Sequence, residues 1–154
     1  MSAELRIRRS ASGEILLRFP EHERALLREV AAGTRLRLAD DADPALKRLF
    51  PPAYADPEHE REYRALTRGQ LVSGRERALE LLESTVDRAS LSAGEADAWL
   101  RALNDARLVL GTDLDVQQDL DWNAIDPNDP GALEHAVYGY LSWIQEQLVE
   151  AIAP

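Results

Sequence analysis

The residues that could do chemistry are few. Cysteine is absent, so disulfides, thiolate metal sites and thiol redox reactions are excluded. Three histidines stand far apart, at His22, His59 and His135. His59-Glu60 opens like the His-Glu-x-x-His of zinc proteases, where two imidazoles one helical turn apart grip the metal, but Tyr63 stands where the second must be. Asp113, Asp115, Asp119 and Asp121 have the carboxylate density of a calcium loop. Gln117 and Gln118, however, occupy positions where that loop needs an acid and a glycine. Leu114 and Val116, between the acids, read instead as a short extended segment. No Gly-x-Ser-x-Gly elbow, phosphate loop or dinucleotide fingerprint is present. An enzyme built from this chain would have to work with carboxylates alone, and no two acids are placed to converge. The sequence therefore predicts no enzyme, no catalytic residue, no metal and no cofactor.

Arginine is the next resource. Arg107 falls about 80° round a helix from Trp99, inside an arc that also holds Ala96 and Leu100. A guanidinium there needs a partner, because a lone buried charge costs several kcal/mol. The favoured reading is a salt bridge to an acid on a neighbouring helix; the other is a contact with an anion or a protein partner. Asn104 sits at the edge of the same arc and is suited to hydrogen-bond a neighbouring backbone group, whereas Asp105 is expected to point to solvent. Arg61, Arg64 and Arg68 share one helical side at i, i+3 and i+7. Glu58, Glu60 and Glu62 are interleaved and can pair with them, which makes a solvated, salt-bridged face the plainer reading. Arg64, Arg68, Asn104 and Arg107 are the candidate partner-binding residues.

These side chains must be positioned by a chain of 154 residues, the length of one domain with one core. Seventeen of the eighteen cations are Arg, with Lys47 the exception. The net charge of −10 is unevenly spread: residues 1–39 hold eight Arg and five Glu, whereas residues 113–154 hold nine acids and no Lys or Arg. The acidic end repels phosphate backbones, while the basic end leaves DNA open as a contact. The N-terminal MSAELRIRRS lacks the apolar run of a secretory signal, and no segment approaches the ~18 apolar residues of a membrane span. The expected location is cytoplasmic.

The elements can be read in order within a single domain, 1–154. Leu5 and Ile7 alternate with Arg6 and Arg8, and Ile15, Leu17 and Phe19 with Leu16 and Arg18, around a turn at residues 9–13. Pairing Leu5 with Leu17 and Ile7 with Ile15 collects the apolar side chains on one face and sets Glu4 against Arg18 and Arg8 against Glu14. A helix follows over 21–32, closed by Gly33, and the alternation of Thr34–Leu38 offers a third strand; residues 1–38 are thus hairpin, helix and candidate strand. Residues 43–111 are helical. Asp43-Pro44 starts a short helix through Phe50, and Asp56-Pro57 starts a long one. In the long helix Gly69 separates two hydrophobic phases, and an unbroken helix whose halves face different partners is favoured over a kink. Ser92 and Glu95 form a capping box for a helix striped by Trp99, Leu103, Ala106 and Leu110 and ended by Gly111. Residues 112–130 are an acidic loop tethered by Trp122 and Ile125. A terminal helix spans 131–152, its stripe running from Leu133 through Val137, Tyr140, Leu141, Ile144 and Leu148 to Ile152. It packs on the Ser92 helix or on a second copy of itself, Tyr138 and Trp143 lying off the stripe. The fold class is α+β, mainly α: an N-terminal hairpin, or three strands, packed on a helical bundle.

Tyr63-Arg-Ala-Leu-Thr67, Leu91-Ser-x-x-Glu95 and the block Ala98-Trp-Leu-x-x-Leu-Asn-Asp-x-Arg-Leu-x-Leu-Gly-Thr112 with Leu114 resemble an actinobacterial family of domains of unknown function. Some of its members are called oxidative-stress transcriptional regulators. The resemblance implies regulation rather than catalysis. It implies a protein partner in the transcription machinery, or alternatively a role as an adaptor linked to Clp-type proteolysis, since family members tend to be encoded near a Clp adaptor and sulfur-metabolism genes. Thiol-based sensing has been proposed within the family and cannot be carried over to a chain without cysteine. DNA contact and a homodimer through the terminal helix complete the expected interactions; no membrane contact is expected.

Overall fold

The N-terminal hairpin closes on a turn that requires glycine. Gly13 adopts a positive φ of 92°, its amide donates to the Ser10 carbonyl at 3.0 Å, and the Ser10 amide donates to Glu14 O at 2.8 Å. Only glycine enters that region without steric cost. The turn joins β1 (Ile7–Arg9) to β2 (Ile15–Leu17) in an antiparallel pair. In this computed structural model the described residues are 4–40, 49, 55–114 and 131–154, without the side chains at 67, 68 and 71. Among them are three strands, β1, β2 and β3 (Ser90–Leu91), and four helices: α1 (Glu21–Leu38), α2 (Pro57–Thr85), α3 (Ala93–Asp113) and α4 (Ala132–Ile152). The sheet order is β1-β2-β3, all neighbours antiparallel.

The helices begin where local chemistry starts them. Asp56 accepts the Glu58 amide at 3.0 Å with Pro57 in the first turn of α2. Ser92 Oγ accepts the Glu95 amide at 3.2 Å while Glu95 Oε1 accepts the Ser92 amide at 2.9 Å, so the expected capping box closes on α3. α2 runs without interruption past Gly69, as favoured from sequence, although Leu66 in its first half is exposed. α1 carries Glu21 and Glu23 in its first turn and Arg35 and Arg37 in its last, the order its dipole favours.

Four expectations are corrected. The hairpin pairs Ile7 with Leu17 and Arg9 with Ile15, a shift of two residues from the expected register, because the turn closes between Ser10 and Glu14 instead of opening one residue pair earlier. A shift of two preserves the faces, so Ile7, Ile15 and Leu17 remain buried, while Leu5 is exposed and Glu4 and Arg8 lose the opposite partners expected for them. The third strand is Ser90–Leu91 and not Thr34–Leu38. Residues 34–38 continue α1 through Gly33, because Leu27, Ala31, Thr34 and Leu38 keep a buried i+3/i+4 stripe that a five-residue alternation could not reveal. Gly111 likewise lies inside α3, which runs on to Asp113. The expected helix at 43–50, apart from helical, buried Leu49, and the tethers Trp122 and Ile125 lie outside the described residues.

The core gathers around Trp99, which is fully buried and donates from Nε1 to Thr85 Oγ1 at 2.7 Å, while Thr85 donates onward to Leu81 O at 2.6 Å. Phe19 lies 6.0 Å from the Trp99 ring, and Leu27, Leu79, Leu103, Leu141, Ile144 and Leu148 close round them. α4 packs on α3 and on β1. There Gln147, buried in the apolar face of α4, accepts the backbone amides of Arg6 at 2.7 Å and Ile7 at 3.1 Å with its Oε1. A side chain thus does for the free edge of β1 what another strand would do.

Replacing Gln147 by leucine keeps the volume and removes that acceptor. Two edge amides then lose their partner, at ~1–3 kcal/mol each, while the buried Gln147 Nε2 that has no hydrogen-bond partner among the described residues is removed as well, so urea denaturation of Gln147→Leu is expected to show a net loss of about 2–4 kcal/mol. Hydrogen exchange at the Arg6 and Ile7 amides should accelerate more than exchange in α3.

Candidate partner-binding groove

Three helices leave a groove between them. α1 contributes Val30 and Gly33, α3 contributes Ala106 and Val109 as the floor, and α4 contributes Leu133 and Val137. Its free volume is about 280 Å³ and its lining is mostly apolar. Leu133 at its mouth is 72% exposed. The groove exists because α4 leans on α3 and β1, so that α1 and α4 face each other across the end of α3.

Polar contacts hold the walls. At one end Tyr140 of α4 donates its hydroxyl to Glu23 Oε1 of α1 at 2.6 Å. Glu23 also receives Arg6 Nε at 3.0 Å and Nη2 at 3.0 Å, and the guanidinium lies 5.4 Å from the Trp143 ring centroid. Burial pushes the Glu23 carboxyl up, but the hydrogen bonds from Arg6 and Tyr140 outweigh it and hold the carboxyl below the usual range. The same bond to Glu23 raises Arg6, and burial followed by the Glu23 bond raises the Tyr140 phenol well above its ordinary value. At the other end Arg37 of α1 pairs with Asp113 of α3. Glu29 and Glu134, which line the groove from α1 and α4, form no ion pair among the described residues. The Thr34 hydroxyl at the groove is already donated to Val30 O at 2.8 Å.

A second charged centre lies where α3 packs on α2. Asp105, expected at the solvent, is 2% exposed and pairs with Arg75 of α2, whose Nη2 also donates to Leu49 O at 3.0 Å. The correction has a simple cause. α3 buries two stripes, the expected one through Trp99 and a small-residue one through Ala98, Ala102, Asp105 and Val109 that faces α2. Burial raises the Asp105 carboxyl, and the bond from Arg75 opposes the rise without cancelling it.

The four residues singled out from sequence do not converge. Arg64 lies on α2 and donates from Nε to Glu60 Oε1 at 3.1 Å, the pairing that the interleaved acids foretold. The side chain of Arg68 lies outside the described residues. Asn104 and Arg107 are half-buried, one turn apart on α3. Arg107 stands about 200° round the helix from Asp105 and so on a different side from α2 and Arg64. Its Nε is buried without a hydrogen-bond partner, and the salt bridge favoured for Arg107 from sequence is not formed among the described residues. Sequence reasoning missed Glu23, Gln147 and the groove. The signal for the first two was available: Glu23 keeps step with Leu27 and Ala31, and Gln147 with Ile144, Leu148 and Ala151.

Among the described residues no cluster of three or more His, Cys, Asp or Glu side chains could hold a metal ion, and no helix is long and apolar enough to cross a membrane. The domain of unknown function DUF2017 matches residues 3–152. The chain belongs to the DUF2017 family. Its relatives include a Mycobacterium leprae protein, 26% identical over 151 residues, which span 86% of this chain and 68% of that protein. Proteins named oxidative stress regulator AosR in Mycobacterium bovis and Mycobacterium tuberculosis are each 27% identical over 170 residues, covering 83% of this chain and 77% of theirs. No solved structure matches it. For this DUF2017 chain the expected family resemblance is thus established.

Two outcomes follow from the groove's walls. The lowered carboxyl of Glu23 contributes stability that is complete above its unfolded value near 4.3 and is lost as pH falls through the folded one. Glu23→Gln should therefore cost about 2 kcal/mol at pH ~7, with the gap to wild type closing below pH ~4 in a series of urea titrations. Asp105, being raised, runs with the opposite sign and remains in both proteins. Gly33 lies inside α1, and a methyl group built there meets nothing within 4 Å among the described residues. Gly33→Ala should accordingly stabilise the fold by about 0.5–1 kcal/mol, read from the denaturation midpoint.

Proposed function

We propose that this protein is a non-enzymatic cytoplasmic regulator of the response to oxidative stress, acting on transcription through protein contacts. The observation that carries the reading is its similarity, over 83% of its length, to proteins named oxidative stress regulator AosR. The chemistry of the chain agrees with it. Without cysteine the protein has no thiol to oxidise, so its part in such a response is to bind. Its charge is split between a basic N-terminal stretch and an acidic C-terminal third, an arrangement suited to steering a charged protein partner. The partner is a component of the transcription machinery. The groove and the half-buried Arg107 with Asn104 are its candidate contacts, and Arg64 and Arg68 are candidates for a second surface, where DNA could also be met.

Deletion of the gene in its native host should lower survival under peroxide and alter the stress transcriptome, and the tagged protein should co-purify with transcription subunits. Complementation with an Arg64→Glu, Arg68→Glu, Arg107→Glu variant that folds normally should fail to restore the transcript pattern. Full restoration would remove those residues from the proposal. An unchanged transcriptome on deletion, or co-purification with Clp unfoldase or protease subunits in place of transcription subunits, would overturn the reading.

A further inference from the structure

We infer that the groove between α1, α3 and α4 seats a basic amphipathic helix of the partner protein. The inference deepens the regulatory reading and rests on it for the partner's identity, though not for its chemistry. Three properties of the groove select this occupant. First, its lining is mostly apolar, and apart from the exposed carboxylates at its rim the polar groups it contains are engaged: Thr34 with Val30 O, and Arg37 with Asp113. A small polar metabolite would find no buried donor or acceptor to orient it, whereas apolar side chains spaced along one face of a helix need none. Second, the carboxylates that flank the groove, Glu29 and Glu134, have no ion-pair partner among the described residues, although neighbouring Glu21 and Glu23 on α1 are paired with arginines. Cationic side chains bordering the anchors would supply the missing partners. Third, Gly33 leaves the α1 wall open at a helical position where alanine would fit and favour the helix.

The same charges disfavour the alternatives. Residues 115–130 carry five Asp and no Lys or Arg, so that segment would bring acid to an acidic rim. The terminal helix of a second copy, with no Lys or Arg after residue 113, would do the same.

The test titrates the full-length protein against labelled synthetic 18-residue helices followed by fluorescence anisotropy. One set carries leucines at i, i+4, i+7 and i+11 with Lys and Arg on the remaining face; a second carries Glu in place of the cations; a third keeps the composition and scatters the leucines. The basic amphipathic set should bind and the other two should not. Gly33→Leu, which fills the groove from its wall, and Glu29→Lys with Glu134→Lys, which reverses its rim, should each weaken binding about tenfold or more, the loss of one anchor or one charge pair. Thermal unfolding confirms that these surface variants are folded. Four results would overturn the inference: no binding by any basic amphipathic peptide; binding that both variants leave intact, which places the peptide elsewhere on the acidic surface; a many-fold gain in affinity on Trp122→Ala, which makes residues 115–130 the occupant; or a dimer of the wild-type protein in sedimentation that Gly33→Leu dissociates, which makes a second copy the occupant. Failure here with an altered stress transcriptome on deletion would relocate the contact and keep the regulatory role. Groove-dependent binding with an unaltered transcriptome would keep the groove and discard that role.

Discussion

A carboxylate that cannot be left alone organises this molecule. Glu23 lies in the buried stripe of α1, and taking its charge out of water is unfavourable unless hydrogen bonds replace the lost hydration. The replacements come from two other parts of the chain: Arg6 from the approach to β1 and Tyr140 from α4. One buried charge therefore fixes the relative position of the hairpin, the first helix and the last. Arg6 serves this junction twice, since its own amide and that of Ile7 are held by Gln147, and its guanidinium also faces the Trp143 ring. The hairpin is too small to be stable by itself, and these contacts with α1 and α4 supplement the apolar burial of Ile7, Ile15 and Leu17.

The consequence reaches the groove. α4 is held to α1 at Tyr140 and to α3 along Leu141, Ile144 and Leu148, so its first two turns extend beyond the junction. Leu133 and Val137, on those turns, form one wall of the opening. Leu133 is exposed there, while Val137, one turn closer to the junction, is partly buried against the core. The same junction explains why Trp143, read from sequence as standing off the main stripe, is half-buried within the chain beside Arg6 and Tyr140.

What the sequence made legible was local. Caps at Asp56 and Ser92, the unbroken passage of α2 past Gly69 and the middle of the α4 stripe, Leu141 to Leu148, all follow from a few adjacent residues, and the structure has them, whereas Leu133 and Ile152 at the ends of that stripe are exposed. The errors came where two periods fit one short segment, or where long-range contacts decide. Residues 34–38 satisfy a strand by alternation and a helix by continuity with Leu27 and Ala31, and the helix prevails because it buries Leu38 at the cost of exposing only Leu36. The hairpin register is invisible to apolar patterning, since a shift of two keeps every side chain on its own face. Asp105 was misplaced because the stripe that buries it is built of alanines, which carry too little hydrophobic contrast to announce a helix interface. The groove could not be read at all, being a property of three helices and not of any segment.

A binding role also constrains how such a protein can respond. With no thiol in the chain, a change of redox state cannot be registered by the protein's own covalent chemistry at cysteine; on the proposed regulatory reading it would arrive as a change in the concentration or affinity of a bound partner. That places the specificity in the charged groups around the contact surface. Most of the α1 charges are already committed: Arg28 to Asp87, Arg35 to Glu83, Arg37 to Asp113 and Glu23 to Arg6. Each of these ties α1 to another element, and none can turn to a partner without loosening the fold. The carboxylates of Glu29 and Glu134 carry no such obligation among the described residues, so they can be neutralised by a partner with no internal bond broken. An acidic, apolar-floored opening framed by committed charges is thus a surface whose electrostatics can change on binding while the helices around it stay in place.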